Sequence, residues 1–205
     1  MSYTAINAFR LFLLAILEPA VRLGGWVGRS VGKDQEGVEM VLRGLVLGGS
    51  CCWRIGRNVR FIGPPSRFRF GRDTVFYGNT YLNVNGPRGF VEMGDHSHVD
   101  QFCVLYGQGG LSIGRDCAIA SGVLIYSQTN ADSKQDVTPV SQQPTAYAPV
   151  SIGDGCWLGA GVRIISGVTL GDGCHVGTGA VVISDLPPFS VAVGVPAKVI
   201  KQRPL

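Results

Sequence analysis

The three histidines are the side chains of this sequence best suited to acid–base chemistry near neutral pH. They are His96, His98 and His175. A neutral imidazole can accept a proton from a hydroxyl group, and its ordinary pKa lies close to physiological pH. His98 and His175 occupy the same place in a six-residue pattern as Trp157, whereas His96 falls nearer a predicted turn. The other interpretation of each histidine is a solvent-facing or interface side chain without a chemical role.

Asp132 and the cysteines are further side chains that could act chemically. Asp132 stands in a long polar stretch, but a free carboxylate is a weak base unless its pKa is raised. Cys117, Cys156 and Cys174 fall at a small inward-facing position of the pattern, so we expect free buried thiols in a reducing compartment. The sequence has no CxxC pair, and His175 next to Cys174 is expected to point outward. No metal site is therefore predicted.

A six-residue repeat is the element that must position these side chains. From Val150 to Leu186 one aliphatic residue recurs at every sixth place, usually followed by glycine. The members of this series are Ile152, Leu158, Ile164, Leu170, Val176 and Val182. A second series of smaller residues lies four places further on, at Cys156, Val162, Val168, Cys174, Ala180 and Leu186. Such units, with glycine at the bends, predict an all-β parallel helix of three short strands per coil, in which each coil buries its apolar face against the next.

The repeat predicts about six coils over residues 51–186. Six recurrences of an apolar residue, glycine and a charged residue mark the turn starts, at Ile55, Phe70, Met93, Ile113, Ile152 and Leu170. With strands about 4.8 Å apart, six coils form a three-sided prism roughly 30 Å tall. Residues 131–145 are polar and lack a stackable pattern, which predicts a protruding loop of the kind that is usually functional. Residues 187–205 are predicted to form a short C-terminal tail.

Residues 1–50 are predicted to hold an apolar helix and a connector. The run from Ala5 to Leu17 is strongly apolar but only 13 residues long, short of the roughly 20 that cross a membrane. Residues 1–72 carry 11 Lys and Arg against 4 Asp and Glu, so this part is +7 and the remainder is −3. Residues 5–23 could therefore lie on an anionic membrane surface, or the helix could pack against a partner protomer. The first alternative predicts a cytoplasmic protein that is peripheral to the inner face of the membrane.

The overall composition indicates one globular domain with short appendages. The chain has 205 residues, of which 45% are apolar and 16% charged, as in ordinary globular proteins. Its 30 glycines follow no collagen-like period. The net charge of +4 is modest and comes without an interleaved aromatic platform, so nucleic-acid binding is not predicted.

Residues 152–200 resemble a known family. The segment contains Trp-Leu-Gly at 157–159, Pro-Pro at 187–188 and Gly-Val-Pro-Ala-Lys at 194–198, in this order after the long loop. Together with the hexapeptide period, these motifs are similar to those of the left-handed β-helix acyltransferases, in the branch of sugar O-acetyltransferases that act on bacterial surface polysaccharides. The resemblance implies a left-handed coil, a homotrimer, and acetyl-CoA as co-substrate in the groove between neighbouring prisms.

The resemblance also implies positions for the acetyl-CoA. The backbone around four residues would flank the pantetheine arm, namely Gly159, Ala160, Gly177 and Thr178. Ala197 and Lys198 of the Gly-Val-Pro-Ala-Lys motif, helped by Lys201 or Arg203, would meet the CoA phosphates. The alternative for these cations is a solvated C-terminal end.

The acceptor side departs from the family pattern at the expected base. In relatives, a histidine at the end of the hexad before the long loop takes the hydroxyl proton, often with a second histidine two residues earlier. Here Asn130 takes the first place and Gln128 the second, and neither amide accepts a proton at neutral pH. The resemblance also implies that Trp157 walls the acceptor site, together with Tyr126 and Gln128.

A replacement base would have to come from elsewhere, and His98, His175 and Asp132 are the candidates. His175 is expected one coil, about 5 Å, and His98 two coils, about 10 Å, from Trp157; in a trimer this column could face the partner's Asn130. Two functions are therefore predicted. One is acetyl-CoA-dependent O-acetylation of a sugar hydroxyl in a surface polysaccharide or its precursor. The other is a catalytically silent homologue that serves as a binding or assembly subunit.

Overall fold

The computed structural model describes residues 53–130 and 139–204. The predicted N-terminal helix, with its membrane contact over residues 5–23, lies outside these ranges, as do the rest of segment 1–50 and Asp132. Within the described residues, no helix has the length and apolar character needed to cross a membrane.

Three mainly parallel sheets carry most of the described chain, and each contributes one strand to nearly every coil. Sheet A contains, in spatial order, β1 (Arg54–Ile55), β4 (Val75–Phe76), β7 (His98–Val99), β10 (Ala118–Ile119), β15 (Trp157–Leu158), β18 (His175–Val176), β20 (Ser190–Val193) and β21 (Lys198–Gln202). Sheet B contains β2 (Arg60–Ile62), β5 (Tyr81–Asn83), β8 (Val104–Tyr106), β11 (Leu124–Tyr126), β16 (Arg163–Ile164) and β19 (Val181–Val182). Sheet C contains β3 (Phe68–Phe70), β6 (Val91–Met93), β9 (Leu111–Ile113), β14 (Val150–Ile152) and β17 (Thr169–Leu170). A separate hairpin consists of β12 (Gln128–Asn130) and β13 (Thr145–Tyr147), and short 310 helices occupy Pro65–Arg67 and Val140–Gln142.

The sheets form because the chain turns after each short strand and returns to the same sheet one coil later. Neighbouring strands of successive coils are parallel and in register, so that Ile119 pairs with Leu158 and Leu158 with Val176. The six-residue spacing therefore places equivalent side chains in straight columns. Sheet B has six strands, which confirms the predicted all-β solenoid of about six coils.

Apolar columns fill the inside of the prism. The inward column of sheet A is fully buried and consists of Phe76, Val99, Ile119, Leu158 and Val176. The inward column of sheet B is equally buried and consists of Leu82, Leu105, Ile125, Ile164 and Val182. Burial of a side chain of this size contributes roughly 1.5–3 kcal/mol. Each coil is a single layer, so this burial depends on stacking against the neighbouring coils.

A column of small polar side chains runs along the inner corner between sheets C and A. Ser97 Oγ donates a hydrogen bond to the carbonyl of Gly114 in the next coil, at 2.8 Å. The equivalent thiol–carbonyl pairs in later coils are Cys117 with Gly153, Cys156 with Gly171 and Cys174 with Pro187. These cysteines are free and at most 1% exposed, as predicted. Hydrogen bonds with the neighbouring thiols, together with burial, raise the pKa of Cys156, so this thiol stays protonated at neutral pH.

Aromatic side chains replace aliphatic ones in the first coils. Phe70 contacts Phe76 with the ring centroids 4.7 Å apart and Trp53 at 5.1 Å, and Phe61 contacts Phe68 at 5.2 Å. We call these five residues the aromatic cluster. Because aromatic rings bury more area than aliphatic side chains, the cluster covers the core at the N-terminal end of the described prism.

The repeat is interrupted after Tyr126 and ends at a second hairpin. Strand β12 pairs with β13 in antiparallel fashion, with Asn130 opposite Thr145, and the stack resumes in β14 at Val150. After Pro188, β20 adds one more parallel strand to sheet A beyond β18. Strand β21 then turns back antiparallel to β20 and ends the sheet.

Candidate functional site

The outward column of sheet A brings two of the three histidines into line with Trp157. The register aligns His98 with Ala118, Ala118 with Trp157, and Trp157 with His175. His175 therefore lies one coil and His98 two coils from Trp157. The Trp157 side chain is 40% exposed and meets the His175 ring edge-on, with the ring centroids 5.8 Å apart.

The surroundings of His175 favour its neutral form. Burial and, secondarily, the Arg203 guanidinium lower the pKa of His175. Arg203 is held in place because it donates a hydrogen bond to the Gly173 carbonyl at 2.8 Å. A neutral imidazole can accept a proton, so His175 is chemically able to act as a base.

A cleft of about 290 Å³ opens on sheet A over the first three coils. We call it the sheet A cleft. Its lining residues are Arg54, Asp73, Val75, Tyr77, His96, His98 and Asp100. The Nδ1 atom of His96 lies 3.5 Å from Oδ2 of Asp73, so a carboxylate faces one nitrogen of this imidazole. No group of three His, Cys, Asp or Glu side chains in the described ranges, the cleft included, is close enough to hold a metal ion.

Sequence reasoning found only part of this cleft. The sequence predicts His98 as a candidate base and places His96 nearer a turn, but the other polar lining residues, Arg54, Asp73, Tyr77 and Asp100, are not among the predicted site residues. A periodic signal could have found them. Side chains alternate across a strand. The side chains two residues before and two residues after His98, those of His96 and Asp100, therefore project from the same face of the coil as His98. The equivalent positions one coil earlier are Asp73 and Tyr77.

Asn130 lies on the hairpin rather than on sheet A. It is exposed and stands opposite Thr145, and Gln128 of the same strand stands opposite Tyr147. Tyr126, at the end of β11 in sheet B, stacks on Tyr106 with the ring centroids 4.8 Å apart. Within one chain, the residues predicted for the acceptor site thus form two groups, one at the hairpin and the end of β11 and one on sheet A.

The residues predicted to flank the pantetheine arm form two stacked turns. Gly159 and Ala160 follow β15, and Gly177 and Thr178 follow β18. The Gly159 amide donates a hydrogen bond to the Val176 carbonyl at 2.8 Å. A Cβ atom at Gly159 would come within 2.6 Å of the Thr178 nitrogen, so this close stacking requires glycine. The two turns therefore present backbone with few side-chain atoms.

Lys198 and Lys201 project from β21 at the C-terminal end of sheet A. Lys198 stands opposite Val193 across the β20–β21 hairpin, and both lysines are exposed. Ala197, just before β21, is 6% exposed, and its amide donates to the Val181 carbonyl at 2.8 Å. Ala197 thus anchors the start of β21 and leaves the two ammonium groups in solvent, where they can meet an anion.

Known proteins share the repeat and much of the sequence. Residues 149–184 match the family described as bacterial transferase hexapeptide (six repeats). The Escherichia coli (strain K12) protein WbbJ, provisionally named as a lipopolysaccharide biosynthesis O-acetyl transferase, is 30% identical over 158 residues, which cover 71% of this chain and 80% of WbbJ. The galactoside O-acetyltransferase of the same organism is 30% identical over 148 residues, or 72% of this chain and 63% of that protein. A Mycobacterium tuberculosis (strain ATCC 25618 / H37Rv) protein provisionally named as an acetyltransferase is 45% identical over 137 residues, or 66% of this chain and 35% of that protein.

Solved structures have the same fold. The N-acyltransferase AntD from Bacillus cereus, in complex with dTDP and 3-hydroxybutyryl-CoA, has a TM-score of 0.64 at 24% identity and covers 74% of this chain and 80% of AntD. A hexapeptide-repeat acetyltransferase from Vibrio cholerae has a TM-score of 0.62 at 19% identity and covers 97% of this chain and 92% of that chain. The predicted left-handed parallel β-helix is thereby confirmed.

Proposed function

This chain belongs to the bacterial hexapeptide-repeat acetyltransferases, and on that premise we propose that it transfers an acetyl group from acetyl-CoA to a sugar hydroxyl in a surface polysaccharide or its precursor. The observation that carries the proposal is the identity of 30% over 80% of the length of WbbJ, whose name refers to O-acetyl transfer in lipopolysaccharide biosynthesis. The similarity to a galactoside O-acetyltransferase supports the same acceptor class.

The proposed donor site runs along the turns that follow β15 and β18. Gly159 and Gly177 leave room for the pantetheine arm beside the backbone, with Ala160 and Thr178 next to them. The exposed ammonium groups of β21, Lys198 and Lys201, would contact the CoA phosphates, because charge-assisted hydrogen bonds to phosphate are strong. AntD supports a CoA donor because its structure contains 3-hydroxybutyryl-CoA.

The proposed assembly is a homotrimer with the donor in the groove between two prisms. Trp157, Ile165 and Ile183 are at least 40% exposed in one chain. Ile165 and Ile183 follow paired strands of successive coils, and such exposed apolar side chains support burial against another copy. The free cysteines support a reducing compartment, so the proposed location is the cytoplasm, with residues 5–23 as the contact to the inner face of the membrane.

A silent homologue is the second candidate function, and Asn130 is the observation that favours it. Its amide cannot take the proton of the acceptor hydroxyl. Activity therefore requires a base elsewhere, and His98 and His175 of the sheet A column offer imidazoles for this purpose. A silent homologue would keep the CoA groove and lack turnover.

Thiol release from acetyl-CoA in the presence of sugars tests the proposal. We expect the full-length protein to release CoA with at least one of a panel of methyl hexopyranosides and nucleotide-linked sugars, and to acetylate that sugar as measured by mass spectrometry. Lys198→Ala is expected to raise KM for acetyl-CoA roughly tenfold, because a hydrogen bond to a charged group contributes about 1.5–3 kcal/mol. Arg60→Ala, which removes an exposed cation at the opposite end of the prism, is the matched control and is expected to leave KM unchanged.

Three outcomes separate the two candidates. Turnover with a KM that responds to Lys198→Ala supports the enzyme. CoA binding by calorimetry without turnover on any acceptor supports the silent homologue. Absence of both binding and turnover contradicts the donor site and the proposed function together.

A further inference from the structure

Polar side chains lie next to one another on the outside of sheet A in two successive coils. His96, His98 and Asp100 leave one coil at alternate positions, and Asp73 and Tyr77 occupy the equivalent turns one coil earlier. The same three positions in the last two complete coils are Gly155, Trp157 and Gly159, then Gly173, His175 and Gly177. The concentration of charged and imidazole groups is therefore a property of the first coils and not of the repeat.

The backbone at two of these positions is of a kind that glycine adopts most easily. His96 has φ of +59° and Asp73 has φ of +55°, and the equivalent glycines of later coils, Gly155 and Gly173, have +64° and +65°. A side chain is uncommon in this region of φ and ψ, whereas glycine has no steric cost there. The same conformation recurs at turns outside the cleft, at Asn58, Asn79, Phe102, Asp116 and Phe189, so it belongs to the turn geometry of the repeat. What distinguishes His96 and Asp73 is that both line the cleft.

A column of residues that are small except for Val193 leads from Lys198 to the sheet A cleft. Its members, each one coil from the next, are Val193, Gly177, Gly159 and Ala120. Val193 stands opposite Lys198 at one end. At the other end, the next residue of the column after Ala120 is Asp100, which lines the cleft. The three coil steps between Val193 and Ala120 measure roughly 14 Å.

The length of this column matches the pantetheine arm of the proposed donor. About thirteen bonds separate the phosphorus atom of CoA from its sulfur, equivalent to slightly more than four residues of extended chain or roughly 15 Å. With a phosphate at Lys198 and the arm along the column, the thioester carbon lies beside Ala120 and Asp100. The acetyl group is then at the edge of the cleft.

His98 is the imidazole nearest to that point. With roughly 4.8 Å per coil and 3.3 Å per strand residue, His98 lies roughly 8 Å from Ala120 along the surface of the prism. The imidazole of His98, together with a sugar hydroxyl placed between it and the thioester carbon, can span this distance. His175 lies roughly 12 Å away by the same measure, beside the arm rather than at its end. His96 is a further turn away and faces Asp73.

We propose that the sheet A cleft is the acceptor site, that it receives an uncharged monosaccharide unit, and that His98 is the general base of the acetyl transfer. The proposal rests on the proposed function, because it assumes acetyl-CoA as the donor. It assigns to His98 the proton transfer that Asn130 cannot perform.

The reaction balances with groups that are present in the cleft or supplied by the donor. The sugar hydroxyl attacks the thioester carbonyl carbon as His98 takes the hydroxyl proton, so a C–O bond forms. The tetrahedral intermediate then collapses with cleavage of the C–S bond. The imidazolium of His98 returns the proton to the leaving sulfur, which departs as the CoA thiol, and the imidazole is neutral for the next turnover.

The lining of the cleft favours an uncharged sugar. Asp73 and Asp100 outnumber the single guanidinium of Arg54 when the imidazoles are neutral, so an anionic acceptor is repelled. Carboxylates accept hydrogen bonds from sugar hydroxyls, and the exposed ring of Tyr77 can pack against the apolar face of a pyranose. A volume of about 290 Å³ is at the small end of ligand pockets and fits one ring rather than an oligosaccharide.

Sugar binding can be measured without turnover. The full-length protein is saturated with CoA and titrated with methyl hexopyranosides of the gluco, galacto and manno series. Two anionic sugars, glucose 6-phosphate and methyl glucuronide, are titrated in the same way. Binding is measured by NMR saturation transfer and calorimetry. We expect at least one uncharged glycoside to bind at least tenfold more tightly than the anionic sugars. Tyr77→Ala and Asp100→Asn are expected to weaken binding at least fivefold, whereas Ser151→Ala on sheet C is the control with wild-type affinity. Equal binding by all three variants, or preference for the anionic sugars, overturns the assignment of the acceptor site.

Turnover tests the role of His98. His98→Ala is expected to lower kcat by roughly 10²–10⁴-fold with the Kd for CoA unchanged within twofold, and added imidazole is expected to restore part of the rate. His98→Gln, which keeps a polar side chain but cannot accept the proton, is expected to lower kcat to a similar extent. His175→Ala should have the smaller effect. Thermal unfolding of both His98 variants shows whether they fold. If His98→Ala does not fold, His98→Gln is used for the kinetic comparison instead.

The outcomes distinguish this inference from the proposed function. No turnover by the wild-type protein overturns the proposed function and with it the base role of His98, while the sugar titration still decides the acceptor site. Turnover that survives His98→Ala at more than a tenth of the wild-type rate overturns only the base. A larger loss of kcat in His175→Ala than in His98→Ala also overturns the assignment of His98 as the base and leaves the proposed function standing.

Discussion

The first three coils and the last three coils of the prism share one backbone plan but differ in core and surface. Aromatic rings fill the core of the first coils, and acidic and imidazole groups cover their sheet A face. Aliphatic side chains and thiols fill the core of the last coils, and glycine occupies their sheet A turns. The repeat determines where a side chain points, and the residue at that point determines which chemical groups each coil presents in the core and at the surface.

The difference extends to the regularity of the coils. Insertions such as residues 83–91 lengthen the early coils. Arg67 holds this insertion against the neighbouring coil, because its guanidinium donates hydrogen bonds to the carbonyls of Val84 (3.1 Å) and Gly86 (2.7 Å). The last two complete coils have strict hexads. We therefore expect the two regions to depend on different interactions.

Phe76→Ala is expected to have the largest effect on the free energy of unfolding, a loss of about 3–5 kcal/mol. Phe76 is fully buried and contacts Phe61 and Phe70, so the truncation leaves a cavity in the aromatic cluster. Urea denaturation measures the loss. Phe102→Ala, at a side chain that is 60% exposed, is the control, with an expected change within about 0.5 kcal/mol. A loss below about 1 kcal/mol for Phe76→Ala would show that the cluster does not hold the first coils together.

Ser97→Ala is expected to lower the free energy of unfolding by about 1–3 kcal/mol. The buried hydroxyl donates to the Gly114 carbonyl at 2.8 Å and accepts from the Cys117 amide at 2.9 Å. Alanine leaves both backbone groups without this partner. The same denaturation assay checks the result. Full recovery in Ser97→Cys is not expected, because a thiol is a weaker donor.

Cys156→Ser is expected to change the free energy of unfolding by only about 1 kcal/mol. A hydroxyl can donate to the Gly171 carbonyl in place of the thiol, which lies 3.2 Å from that oxygen. The natural use of Ser97 at the equivalent place supports this exchange. Cys156→Val, which keeps the apolar character and removes the donor, is the matched comparison. A loss above about 3 kcal/mol in Cys156→Ser would show that a hydroxyl cannot replace the thiol in this column.

Asp154→Asn is expected to have the smallest effect, roughly 0.2–1 kcal/mol at neutral pH and low salt. The backbone N–H and the guanidinium of Arg115 hold the pKa of the Asp154 carboxyl below its usual value. A lowered folded-state pKa stabilises the folded protein above the unfolded pKa near 4 and loses that contribution as the pH falls. The difference between wild type and variant, measured by denaturation from pH 7 to pH 3, should therefore narrow below about pH 4. A difference that grows on acidification would contradict this account.

The fold was predictable from sequence to a large extent, and the site only in part. The column of Ile152, Leu158 and Val176 follows from the six-residue period, because stacking is the only way for a single-layer coil to bury them. The alignment of His98 with Trp157 follows from the same period. The cleft was missed because Asp73 and Tyr77 become neighbours of His98 only through the pairing of β4 with β7, and insertions in the early coils hide that register in the sequence.

The last strand of the solenoid, β21, affects whether two molecules can associate through their sheet edges. An uncovered β-strand invites other chains to pair with it, and such pairing leads to fibres. Strand β20 is occupied on both sides, by β18 and β21, so an incoming chain meets β21 first. There Lys198 and Lys201 stand on the outer strand, and like charges on two molecules repel. The two lysines that we assign to the donor phosphates therefore also disfavour the pairing of two molecules through their β21 strands.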